Sequence, residues 1–166
     1  MRTLPHDDYI EAVTVALDTA SITTADIRTD DCETRGTYCY LNAVIELDMF
    51  HTSDAEAWPH GLLLIWEWHT GIEDGEPDKG PVWQFAEMKD DGSNEYPTDL
   101  PVYGYASPAA VVEAARKVIA REIQPGSFYN LGQWRGWAGG IIGDTWEGHA
   151  ELDAACEAWG AKENDE

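Results

Sequence analysis

Glu67 and His69 are the residues whose types and spacing come nearest to a chemical site in this chain. They stand two apart in the run GLLLIWEWH at 61–69, and in an extended strand such residues share a face about 6.5 to 7 Å apart. That separation suits two ligands of a metal, or an acid beside a base. A third partner is missing from the local pattern. His51 and His60 fall in the loop before the run, His6 falls near the chain start, and neither HExxH nor HxH occurs. The plainer expectation for His69 is a histidine hydrogen-bonded at the rim of a sheet.

Other signatures are sparse. There is no GxSxG and no Walker loop, and the glycines of RGWAGGIIG at 135–143 follow no strand pattern, as a dinucleotide fingerprint requires. The loop acids Glu73, Asp74, Glu76 and Asp78 match the front of a calcium loop in charge only, lacking its alternating order and closing glutamate. Cys32, Cys39 and Cys156 are odd in number and include no CxxC pair, so reduced thiols are expected. A redox pair of Cys32 and Cys39 across a hairpin is the alternative. No cofactor is expected.

Charge is the extreme property. Thirty-two acidic against ten basic side chains give a net charge of −22. Such a balance argues against direct binding to nucleic acid or an anionic membrane, and makes a basic protein surface the natural charged partner. Solubility or salt adaptation is the plain alternative. Duplex DNA carries one charge per about 1.7 Å of axis, so these 22 charges match roughly 37 Å of duplex. A compact domain of this length is on the order of 40 Å across.

The leading expectation is a non-enzymatic acidic interaction protein that occupies the basic surface of a nucleic-acid-binding partner, in the manner of a nucleic-acid mimic. Its candidate contact residues are Asp30, Asp31, Glu73, Asp74, Glu76 and Asp78. Two rivals stand beside it: a peptide or small-ligand module using Trp134 and Trp137 in the aromatic coil at 126–148, and a metal-dependent enzyme using Glu67 and His69. No apolar run approaches the roughly 20 residues of a bilayer span and no charged leader opens the chain, so a soluble cytoplasmic protein is expected.

The elements that must position these residues follow from periodicity. Apolar residues at Ile10, Val13, Ala16, Leu17 and Ala20 predict a helix over 5–19, with Tyr9 at its edge and Thr14 outside. A weak strand at 21–28 leads to a turn at 30–36. Alternation at Cys39, Leu41, Ala43, Ile45 and Leu47 predicts a one-sided strand over 37–48. The run at 61–69 is apolar on both faces in its first half, which predicts a central strand, and Trp83 and Phe85 mark a fourth strand. With no helical segment between them, the four form an antiparallel meander.

Residues 89–106 are rich in turn formers and read as an irregular loop. Ser107 and Pro108 then open a helix carrying Val111, Val112, Ala115, Val118, Ile119 and Ile123, stopped at Pro125 and Gly126. Seven glycines accompany Phe128, Tyr129, Trp134, Trp137 and Trp146 in the coil at 126–148, with packing against the core as the plainer role for its rings. Asp144 and Glu147 stand at capping-box spacing before a short helix whose His149, Leu152, Cys156 and Trp159 share a face, and Gly160 should end it. The whole reads as a single α+β domain over 1–160, with helices covering one sheet face and a frayed acidic tail at 161–166.

Overall fold

The computed structural model describes residues 4–34, 38–49, 58–71, 79–126 and 134–164. Helix α1 (Asp7–Thr19) precedes strands β1 (Thr24–Thr34), β2 (Tyr38–Leu47), β3 (Leu62–His69), β4 (Gly80–Glu87) and β5 (Thr98–Asp99), and helices α2 (Pro108–Ile119) and α3 (His149–Asn164) follow. The strands form one antiparallel sheet in the order β1-β2-β3-β4-β5. The class is α+β, and the meander gains a fifth strand.

β3 is central because its sequence tolerates no open face. Leu62, Leu64, Trp66 and Trp68 join Leu41, Ala43, Ile45 and Leu47 of β2 and Trp83 and Phe85 of β4 in one large core. Onto that face α1 lays Tyr9, Ile10, Val13 and Leu17, α2 lays Val111, Ala115 and Val118, and α3 lays Leu152, Cys156 and Trp159. The opposite face carries a smaller cluster of Leu63, Ile65 and Ala86, flanked by Val44 and Met88. Beyond Ile65 that face turns polar at Glu67 and His69, so the run's apolar half and polar half sit in different surroundings.

Several boundaries differ from the sequence pattern, each for a physical reason. β1 runs on to Thr34, so Asp30 and Asp31 lie in a strand and not in a turn; pairing with ten-residue β2 outweighs the poor strand propensity of aspartate. The register pairs Cys32 with Tyr40 and Cys39 with Glu33, so the two cysteines are not cross-strand partners. The expected loop at 89–106 contains β5, whose Thr98 and Asp99 pair with Phe85 and Gln84. Two residues are too few for alternation to register.

The helices differ too. Tyr9 is fully buried in α1 where an edge position was expected, and Thr14, expected outside, is buried with its hydroxyl donating to the Ile10 carbonyl at 2.7 Å. α2 begins as its cap demands, with Ser107 Oγ accepting from the Ala110 N–H at 3.2 Å. It stops at Ile119, short of Pro125, with Arg121 in the left-handed region. α3 starts at His149, too late for Asp144 to cap it. It also continues through Gly160 to Asn164, so 161–164 are helical. A Cβ on Gly160 would stand 3.2 Å from the Trp68 ring; this glycine serves close helix-to-sheet approach instead of a stop.

Candidate functional site

On the sheet face away from the helices, the register sets residues in rows: Asp26, Glu46, Leu63 and Ala86; then Asp30, Asn42, Glu67 and Val82; then Tyr40 and His69. Glu67 and His69 are brought together as the spacing predicts. His69 Nε2 lies 3.2 Å from Glu67 Oε1, and the His69 ring stacks on Tyr40 at 5.2 Å. Asn42 Nδ2 adds a long contact of 3.5 Å to Glu67 Oε2. The acid and the imidazole are therefore paired through Oε1 and Nε2. Among the described residues no three His, Cys, Asp or Glu side chains converge as metal ligands.

Asp30 and Asp31 are split. As neighbours on β1 they point to opposite faces, Asp30 toward the row of Asn42 and Glu67, and Asp31 opposite Leu41. Asp30 Oδ1 accepts from the Asp31 N–H at 2.9 Å. Glu73, Asp74, Glu76 and Asp78 lie outside the described residues. Trp134 and Trp137 are half-buried against the main core. The Trp134 indole N–H donates to the Asp99 carbonyl at 2.7 Å, that of Trp137 donates to the Gly140 carbonyl at 2.8 Å, and Lys117 Nζ sits 4.6 Å from the Trp137 ring centroid. Both rings are engaged in holding the coil down, since the chain around them carries too many glycines to form a ladder of its own.

The sequence patterns missed a cleft between the first turns of α1 and α3. It is an open depression of about 540 Å³ lined by Pro5, Asp8, Tyr9, Trp146, Glu147 and Glu151, with Leu152 beneath. Tyr9 and Trp146 face each other there with ring centroids 5.0 Å apart. The segment before α3 is fixed by the Trp146 N–H donating to the Tyr105 carbonyl at 2.7 Å. A Cβ on Gly148 would stand 2.9 Å from the Trp146 ring, so only glycine lets the indole fold back over its own chain. His149, expected on the buried face of α3, is exposed, with Nδ1 at 2.7 Å from the Trp146 carbonyl. The available signal was the acid spacing at Asp144 and Glu147, which reads equally well as a cap.

The sheet and the cleft share one electrostatic feature. Several of the few cations contact the protein's own carbonyls and rings: the exposed Arg116 donates to the Ala20 carbonyl and the exposed Arg135 to the Pro125 carbonyl, and Arg121 lies 3.6 Å over the Trp58 ring with its guanidinium 3.5 Å from Glu87 Oε2. Meanwhile the register sets Asp26 directly opposite Glu46, an unfavourable pairing of like charges. Arg28 relieves it in part through a solvent-exposed contact of 3.4 Å to Asp26, of the kind that contributes about 0–1 kcal/mol. No helix among the described residues is long and apolar enough to cross a membrane.

No protein-family model, no curated protein and no solved structure matches this chain.

Proposed function

We propose that this chain is a non-enzymatic acidic interaction protein that occupies the basic surface of a nucleic-acid-binding partner. The observation that carries this reading is the disposition of its charges. With ten lysines and arginines against 32 carboxylates, most carboxylates have no cation to pair with; Arg28, Lys79 and Arg121 each meet one carboxylate, while Arg116, Lys117 and Arg135 contact backbone carbonyls or an indole ring. A field of that size raises the encounter rate with a basic surface and repels nucleic acid. Exposed carboxylates stand on α1, β1, α2, α3 and the hairpin at 90–95. Such a spread favours wrapping by, or several contacts with, a basic partner over a single mimicked stripe of phosphates.

The test is displacement of a fluorescent DNA duplex from a lysine-rich DNA-binding domain by the purified protein over a series of salt concentrations. Displacement should weaken steeply as salt rises, and neutralising Asp30, Asp31, Glu73, Asp74, Glu76 and Asp78 together should lower both affinity and salt slope. Displacement that is absent at low salt, or untouched by the sixfold neutralisation, would remove the proposal.

A further inference from the structure

His6 sits where the chain enters α1, in the N-cap position but without a side-chain cap bond. Its ring is fully buried and lies against Trp66 of β3, with centroids 5.2 Å apart and planes 25° from parallel. A neutral imidazole offers one donor and one acceptor. Here Nε2 takes the donor role toward the Asn42 carbonyl at 2.8 Å, so Nδ1 is the acceptor, and it is buried with no hydrogen-bond partner. The surroundings therefore suit the neutral ring alone. A protonated ring would bury a charge and a second N–H that meets no acceptor, and both are costly out of water.

The charged groups that act on the ring come from two elements, Asp7 from α1 itself and Asp30 and Asp31 from β1. All three favour the cation, but burial outweighs them and holds the His6 pKa below its ordinary value. The acids of the strands beneath the ring, Glu46 of β2 and Glu67 of β3, stand on the sheet face opposite Trp66. Meanwhile α1 has its own anchorage: Tyr9, Ile10, Val13 and Leu17 lie in the core, and the Tyr9 hydroxyl donates to the Ala106 carbonyl. The residues ahead of it hang on fewer ties. Besides the buried Leu4 side chain, these are the Leu4 N–H to Asp7 Oδ2 at 2.9 Å, the Asp7 N–H to the Leu4 carbonyl at 3.2 Å and the His6 bond to Asn42.

We propose that His6 is an acid-released latch: taking up a proton frees residues 4–6 from the sheet and lifts the imidazole off Trp66, while α1 stays in place. The latch is independent of the acidic-interaction reading. Closed, it accepts the neutral ring; open, both ring nitrogens reach water and His6 titrates near the ordinary value of about 6.5. The open form therefore takes up the proton first as pH falls. Its population relative to the closed form rises by up to about tenfold per pH unit below that value, until the lowered pKa of the closed form is reached. Weakly tied segments open in this way without global unfolding.

Amide hydrogen exchange of the full chain from about pH 7 to about pH 5, each rate corrected for its intrinsic pH dependence, tests the latch. Protection at the Leu4 and Asp7 amides should fall about fivefold or more over that range, while protection at Val13 and Leu17 inside α1 should change less than about twofold. The side chain in His6→Gln can still donate to the Asn42 carbonyl but does not titrate, so protection at Leu4 and Asp7 in that variant should be nearly independent of pH. If the variant does not fold, the His6 ring resonances of the parent serve instead, and their titration midpoint should lie below about 6.5. A fall under about twofold in the parent, or a midpoint at or above the ordinary histidine value, would overturn the proposal. An equal fall in His6→Gln would assign the effect to the neighbouring carboxylates, and Val13 and Leu17 losing protection in step with Leu4 would mean that the whole helix opens. Either result removes the latch.

Discussion

Trp83 and Tyr9, 74 residues apart in the chain, are joined at the centre of the molecule: the Trp83 indole N–H donates to the Tyr9 hydroxyl at 3.0 Å. That hydroxyl donates in turn to the Ala106 carbonyl at 2.5 Å. One buried oxygen thus links α1, β4 and the segment entering α2. Burial raises the Tyr9 phenol well above its ordinary range, so it remains a protonated donor near neutral pH.

Tyr9→Phe keeps the ring and removes this link, leaving a buried indole N–H and a buried carbonyl without their partner. The expected cost is about 1–3 kcal/mol. Urea unfolding of the variant measures it, and a loss under about 0.5 kcal/mol would show that the neighbours re-pair.

Trp66→Ala should cost about 3–5 kcal/mol. The side chain is fully buried on the central strand, its indole N–H donates to the Gly104 carbonyl at 2.8 Å, and His6 stacks on it at 5.2 Å. Unfolding curves for the variant and the parent decide the matter; near-equal midpoints would contradict the central placement of β3.

His6 gives the fold a defined acid sensitivity. It is fully buried, its Nε2 must carry the proton donated to the Asn42 carbonyl at 2.8 Å, and its Nδ1 has no hydrogen-bond partner. Burial lowers its pKa, against the opposite pull of the Asn42 bond and of Asp7, Asp31 and Asp30. A lowered folded value means that the unfolded chain takes up this proton first as pH falls below about 6.5. His6 therefore contributes fully above that pH, and stability is lost as pH falls toward the folded pKa. The stability difference between the parent and His6→Gln, measured by urea unfolding at several pH values, should narrow on acidification. A difference independent of pH would mean that His6 does not titrate differently on unfolding.

Cys156 should be nearly inert. It is fully buried, and burial, helped by Asp153 and Glu157 nearby, pushes its thiol up to about 12 despite a bond from Tyr105. At pH 8 that leaves on the order of one thiolate in ten thousand. In a Cys32→Ser/Cys39→Ser background, an aromatic disulfide reagent should label the denatured chain fully and the native protein slowly. Rapid native labelling would show that α3 opens from the sheet.

Much of the fold was legible in local pattern. The two-sided apolar run of β3, the alternation of β2 and the Ser107 cap of α2 each depend on neighbours within a few residues, and each stands where periodicity put it. The fifth strand was not legible, because Thr98 and Asp99 are held by Phe85, Gln84 and the Trp134 indole, all distant in sequence. Gly160 misled for a related reason: a glycine that stops a helix and one that lets a helix approach a tryptophan look alike in one dimension.

For the candidate sites the division is sharper. The sequence by itself determined the excess of negative charge, the proximity of Glu67 to His69 and the apolar faces that must meet, because charge is additive and strand and helix periods are local. Only the tertiary structure decided that Asp30 and Asp31 part to opposite faces, that Arg116 meets the Ala20 carbonyl and Arg121 the Trp58 ring, and that Asp8, Tyr9, Trp146 and Glu151 surround one cleft. Those outcomes depend on strand register and on where α3 lies against the sheet. Both are set by the core as a whole, since sliding β1 by one residue or moving α3 by one turn would expose buried side chains that no local preference could offset.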